Sequence, residues 1–357
     1  MLRYVKRSDI SQSRSFIIRF AAILLALVIT GIFILALSLN PIDVYISLCK
    51  GAFGSTNKFK ETIIKAIPIL LSALGISVAF KMQFWNIGGE GQILMGAFGA
   101  SFIALKFPSL PMPIMLPLMA IAGIIGGGIW ALIPAFFKAK WRTNETIVTL
   151  MMNYIALKWI TYLQYGPWRD PAALGFPKIP DFGVNAILPD VFGIHAGWII
   201  ALIFVGVIYV FMKHSKLGYE VAVLGESERT ARYSGISVSK TIIFAIVISG
   251  GLSGLAGMIQ ASAVSNTLSV DVSGGIGFTA IIVAWLSALS APVILVVSIL
   301  FAGLIEGGAY IQSAFGIPAA AAQILQGLIL FFVLGSEFFV RYKLVVSKSK
   351  VIVKEGE

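Results

Sequence analysis

Nine consecutive residues, Phe84-Trp85-Asn86-Ile87-Gly88-Gly89-Glu90-Gly91-Gln92, place a carboxylate, two amides and three glycines between apolar runs at 62–80 and 93–105. At membrane depth a charged group or an irregular backbone is tolerated only where it is buried in protein or lines a wet cavity. Glu90 therefore reads in one of two ways. It belongs to a polar pathway or fixes a helix break, or it is an acid at a helix N-terminus near the interface, stabilised there by about 0.3–1 kcal/mol. Asn86 could cap the helix that follows, and Gln92 adds a second amide. Asn153 sits among Met151, Met152 and Tyr154, where a lone amide more often ties helices together than contacts a solute. Trp85 and Trp285 could stack on a flat ligand. Trp is also common at membrane interfaces, which is the reading favoured for Trp85. Glu306, beside Gly307 and Gly308, is expected to be an interfacial acid at the outer end of its segment.

A second glycine cluster, Val272-Ser273-Gly274-Gly275-Ile276-Gly277, opens the apolar segment that starts at Phe278. Each cluster follows a long apolar run in its half of the chain. Paired glycine interruptions in oppositely oriented halves point to an inverted repeat with a site at its interface.

Other chemistries are missing. The chain has no Gly-x-x-x-x-Gly-Lys-Ser/Thr loop and no Gly-Lys pair, which excludes nucleotide hydrolysis by that route. Two histidines, His195 and His214, and one cysteine, Cys49, lie too far apart in sequence to suggest a metal site. No nucleophile elbow or acid pair stands out, so no catalytic residue is assigned.

The elements that position these residues follow from composition. The 357 residues are 58% hydrophobic and 12% charged, with a mean hydropathy of +0.93. That is a polytopic membrane protein, and runs of helical length make it an all-α bundle rather than a barrel. Ten spans are expected, at 16–39, 62–80, 87–105, 114–137, 145–163, 196–212, 241–263, 278–289, 292–306 and 319–334, the eighth and ninth short or broken. The net charge of +11 does not signal nucleic acid. Its basic residues cluster in the arm (Arg3, Lys6, Arg7, Arg14), at Lys138, Lys140 and Arg142, at Lys213, Lys216, Arg229, Arg232 and Lys240, and in the tail. With ten crossings these all fall on one side, which the positive-inside bias makes cytoplasmic, together with both termini.

The chain reads as a single transmembrane domain over 1–357. It has an inner arm at 1–15, a bundle at 16–334, a proline-rich external loop at 164–195, an inner loop at 213–240 and an inner tail at 341–357. Within the inner loop, Glu226 or Ser227 could open a short helix that Gly235 ends, and such a helix could dock a cytoplasmic partner or be a soluble connector.

The stretches 84–92, 144–156, 225–236 and 274–281, in that order, resemble the membrane permeases of ABC importers in the simple-sugar and branched-chain amino-acid group. The Asn-Ile-Gly-Gly-Glu-Gly-Gln form is most similar to nucleoside-type permeases served by a basic-membrane-protein-like lipoprotein. Residues 287–292 depart from the family's Asn-His-Pro-like turn. The resemblance implies a second permease, identical or different, two cytoplasmic ATPases that use the ATP, an external binding lipoprotein and a prokaryotic inner membrane. This chain would bind no cofactor. It implies a pathway near Asn86, Glu90, Gln92, Asn153, Gly274, Gly275, Phe278 and Trp285. It also implies a coupling helix that uses Gly225, Glu226, Glu228, Ala231, Arg232, Tyr233, Gly235 and Ile236. The expected cargo is a nucleoside or similar solute. The alternatives are the same machine importing ribose or another simple sugar, an ion-coupled carrier protonated at Glu90 or Glu306, and a membrane scaffold or receptor.

Overall fold

The computed structural model describes residues 2–6 and 12–346. Part of the expected inner arm and most of the expected inner tail therefore lie outside the described residues. The chain divides into two compact units, Met1–Gly51 with Leu304–Glu357, and Ala52–Gly303.

In the first unit, β1 (Leu2–Lys6) pairs antiparallel with β4 (Tyr342–Val346), which brings the two chain ends together. Helix α1 (Gln12–Ala36) packs along α13 (Ala319–Arg341). A turn through Ser38 (φ 60°) leads into α2 (Pro41–Phe53), bent by 111° from the segment before it. Pro41 fits the first helical turn because its missing N–H would be unpaired there anyway, and the Asn40 side chain accepts from the Ile42 N–H (3.0 Å). Ile34, Val44, Ile311, Ala322 and Leu325 form the core of this unit. α2 had no counterpart among the expected spans.

α12 runs over Ala291–Phe315, so the ninth span is a full-length helix and not the short 292–306. Glu306 consequently lies inside the helix and not at its outer end, and is 8% exposed. Gly307 and Gly308 do not stop the helix. They let Leu48 and Gln326 approach where a Cβ would collide, a common use of glycine in membrane helices.

The second unit holds α3 (Thr56–Lys81), α4 (Gly89–Lys106), α5 (Met112–Trp141), α6 (Glu145–Tyr165), a short hairpin of β2 (Asp190–Val191) and β3 (Ile194–His195), α7 (Gly197–His214), α8 (Lys216–Glu226), α9 (Glu228–Tyr233), α10 (Val238–Ile259) with a π-turn at Gln260–Ser265, and α11 (Ile276–Leu286). α4, α5 and α10 pack almost backbone to backbone. A Cβ on Gly254 would overlap the Gly123 carbonyl, and one on Gly257 would overlap the Ile93 carbonyl. α4 lies on α10 and α11 lies on α3, so each helix that follows a glycine cluster packs on the long helix that precedes the other cluster.

The two ends of this unit differ in chemistry. At one end the α5–α6 turn, α9 and the start of α10 meet through Arg142–Glu228 (3.5 Å) and Ser239 to the Ala139 carbonyl (3.4 Å). At the opposite end of α10, the 164–195 loop is tied down. Phe182 N–H donates to the Asn266 carbonyl (2.8 Å), Ser262 to the Ala186 carbonyl (2.6 Å) and Val270 N–H to Gln164 Oε1 (3.1 Å).

Each of the ten expected spans falls on a helix. Among the described residues seven helices are long and apolar enough to cross a membrane, or eight if the bent pair α1–α2 counts as one span. α4 and the eleven-residue α11 are outside that set.

Candidate functional site

The two glycine clusters meet. Asn86 bonds Ser249 (3.1 Å), which stands eleven residues, roughly 16 Å at 1.5 Å per residue, into α10. The meeting point is therefore near the middle of α10. From there α4 runs toward the end that carries the 164–195 loop, since its Phe98 and Phe102 stack on Trp168 (5.3 and 6.4 Å). α11 runs the other way, and its Trp285 stacks on Trp85 (5.3 Å, 20°) beside Phe80.

Glu90 sits in the first turn of α4 but caps the other helix. Its Oε1 accepts from the Gly275 N–H (2.8 Å) and its Oε2 from the Gly277 N–H (2.7 Å). The first N–H groups of a helix have no internal partner, and the dipole there favours negative charge. Gly275 adopts φ +80° at the N-cap of α11, and a Cβ on Gly277 would overlap the Glu90 backbone nitrogen. The carboxylate thus fixes a helix break, and it does so across the interface between the clusters.

The amides brace the other cluster. Asn86 and Gln92 form a reciprocal pair (3.2 and 3.0 Å), and Asn86 Oδ1 also accepts from the Gly88 N–H (3.1 Å). Asn86 does not cap α4 as expected: the N-cap is Gly88, with no side-chain cap bond. Asn153 of α6 accepts from the Gly91 N–H and donates to the Ile87 carbonyl, both at 2.9 Å. Thr149 accepts from the Ile87 N–H (3.2 Å). Asn86, Gln92 and Asn153 are buried. Gly274 and Phe278 are exposed at the rim of the second cluster, while Gly275 and Trp285 are half-buried.

The 213–240 segment forms a different surface. Ser227 caps α9 by accepting from the Thr230 N–H (3.2 Å), and Gly235 at φ +74° ends it. Gly225 seats α8 on the end of α3: its carbonyl accepts from Gln83 Nε2 (2.6 Å), and a Cβ would overlap the Lys81 carbonyl. Ala231 is buried and Ile236 half-buried, while Glu226, Glu228, Arg232 and Tyr233 are exposed, Tyr233 at 93%. The hydrogen bond from Arg232 (2.7 Å) holds the Glu228 carboxyl below its ordinary pKa.

Two further residues stand out, with no role assigned from the sequence. His195 is buried with both ring nitrogens unpartnered, and that burial lowers its pKa to about 4. Lys158 is exposed on α6 inside an expected span; the available signal was a lysine within an apolar run.

Residues 59–334 match the family described as branched-chain amino acid transport system / permease component. The chain is 33% identical to the glucose ABC transporter permease protein TsgB13 of Haloferax volcanii over 90% of this chain and 87% of that one. It is 30% identical to the nucleoside ABC transporter permease protein NupB of Lactococcus lactis, over 97% and 99% of the two chains. It is 31% identical to the guanosine ABC transporter permease protein NupP of Bacillus subtilis, over 92% and 95%.

Proposed function

This chain belongs to the branched-chain amino acid transport system / permease component family, and we infer that it is the membrane-spanning permease subunit of an ABC importer for a nucleoside, with a simple sugar as the second candidate. One observation carries this reading: near-full-length similarity to permeases named for nucleoside, guanosine and glucose transport. The chain itself hydrolyses nothing and binds no cofactor; ATP is used by a partner.

The rest of the machine is proposed as follows. The chain pairs with a second permease in a prokaryotic inner membrane, crosses ten times counting α4 and the half-length α11, and keeps both ends cytoplasmic. The pairing of β1 with β4 supports ends on one side, and the basic turns around α9 support that side being inner. The reciprocal packing of α4 on α10 and α11 on α3 supports an inverted repeat. α9 seats in an ATPase groove, and closure of the ATPases on ATP switches the bundle between inward- and outward-open states. The exposed tips Leu174, Phe176 and Phe192 of the 164–195 loop suit contact with a binding lipoprotein.

The test is uptake in vesicles holding the permease pair, ATPases and receptor. Guanosine accumulation should require ATP inside the ATPase compartment and survive an uncoupler. Uptake that needs no ATPase and collapses with the uncoupler would instead make the protein an ion-coupled carrier. Changing Tyr233 or Arg232 to Ala should uncouple ATP hydrolysis from uptake.

A further inference from the structure

On the importer reading, which it presupposes, we propose that the solute is touched by the exposed face of α6 around Lys158, and not by the buried amides of the first cluster. The amides have their hydrogen-bonding groups committed to each other, to Ser249 and to the backbone of residues 87–91. They hold the break shut from within and leave little to offer a passing molecule.

α6 has two faces. Met152, Asn153, Ala156, Ile160 and Leu163 are buried, and on that side Asn153 and Thr149 brace the break. On the other side Tyr154, Lys158 and Tyr162 stand at four-residue steps, with Ile155 and Trp159 beside them, and these five line one shallow depression. Trp159 is positioned by edge contact with Phe98 of α4 (6.0 Å, 84°) and lies 5.8 Å from Tyr162.

No ion-pair or hydrogen-bond partner for Lys158 is found among the described residues. It stands seven residues, roughly 10 Å, from the outer end of α6, and Tyr154 is one turn deeper. An ammonium at that depth faces a wet cavity or a partner in preference to lipid. The exposed face of α5 supplies the contrast: at comparable depth it presents Ile121, Ile125 and Ile129, side chains that suit acyl chains. The depression itself is almost wholly apolar, walled by ring faces and the alkyl stem of Lys158. That suits the flat face of an uncharged, ring-bearing solute, and the Lys158 ammonium stands beside it for a hydrogen-bond acceptor on the solute's edge. A nucleoside fits that class, its base against the rings and a carbonyl or hydroxyl oxygen on the ammonium.

Cys49 is the single cysteine, so a Cys49→Ser background gives a clean labelling experiment in the assembled importer. Cysteines placed one at a time at Tyr154, Lys158, Ile121 and Ile125 are exposed to the anionic, membrane-impermeant reagent sulfonatoethyl methanethiosulfonate, and labelling of this chain is read by mass. The expected result is labelling at 154 and 158, none at 121 and 125, and protection of 154, where Lys158 is still present, by guanosine or glucose, whichever the wild-type complex imports. Lys158→Met should lower uptake about tenfold or more with assembly retained, and Lys158→Arg should recover part of it. Positions 154 and 158 as unreactive as 121 and 125 would make this face lipid-facing and overturn the proposal, as would labelling at 154 that solute does not slow. Failure of the importer reading is separate: the wild-type complex would then show no ATP-dependent uptake at all.

Discussion

The two glycine clusters look alike in sequence and are held in different ways. The first, around Gly88–Gly91, is braced by four side chains from two stretches of the chain, Asn86 and Gln92 from one and Thr149 and Asn153 from the other, with Ser249 behind them. The second, around Gly274–Gly277, turns through two glycines with positive φ, and its freed N–H groups converge on one carboxylate, Glu90. Distributed bracing tolerates the loss of a member, because the remaining bonds still define the backbone. A single carboxylate that satisfies two donors is a single point of failure. It also links the clusters: whatever displaces the start of α4 displaces the start of α11.

The largest expected effect separates the clusters by space. Gly277→Ala drives a Cβ into the Glu90 backbone, and overpacking plus lost hydrogen bonds should cost about 3 kcal/mol or more. Little assembled protein should be recovered by size exclusion. Gly88→Ala is its control. Its nearest neighbours are side-chain atoms at 3.1–3.3 Å and its φ is −80°, so the melting temperature in detergent should fall only slightly. Equal damage from both would erase the distinction.

Glu90→Gln comes next. One amide oxygen can accept one of the two N–H groups, and the NH2 opposes the other, a cost of about 1–3 kcal/mol. Expression, melting temperature and uptake should decline together. Normal expression and melting with lost uptake would instead make the carboxylate part of the solute path.

Asn153→Ala should do less, about 1–2 kcal/mol, because Asn86, Gln92 and Thr149 remain. A larger loss than for Glu90→Gln, in the same melting assay, would reverse the comparison.

The smallest effect has the opposite sign. α11 ends in a turn where Ala288 and Leu289 both take φ near +50–60°, a conformation that costs a non-glycine residue roughly 1–2 kcal/mol. Leu289→Gly should raise the melting temperature by the equivalent of up to about 1 kcal/mol after the entropy glycine loses on folding. A decrease would show that the Leu289 side chain contributes more by packing than its backbone costs.

Much of this was legible in the chain. Each of the ten apolar runs falls on a helix, since hydrocarbon length and backbone satisfaction leave few alternatives. Glu226 or Ser227 and Gly235 bracketed α9, and Ser227 is the residue that caps it, because capping and left-handed termination are local. Two glycine clusters announced two breaks. The Ser38 turn and α2 were not legible, since nothing in a run of apolar residues says that its axis turns by 111°. The reach of α12 past Gly307 was hidden too, because glycine reads as a stop until a neighbouring helix is seen to need the space.

What the sequence determined by itself was therefore everything that depends on neighbours along the chain: an oily helical bundle, its breaks, and a short capped helix among basic turns. The partners were decided only by tertiary structure. Glu90 takes its two N–H groups from residues 185 and 187 positions away, and Asn153 takes its from 62 away. No periodicity encodes such a pairing. It exists because helices crossing on glycine bring two unsatisfied backbone ends within hydrogen-bond reach, and a buried donor without an acceptor is too costly to leave.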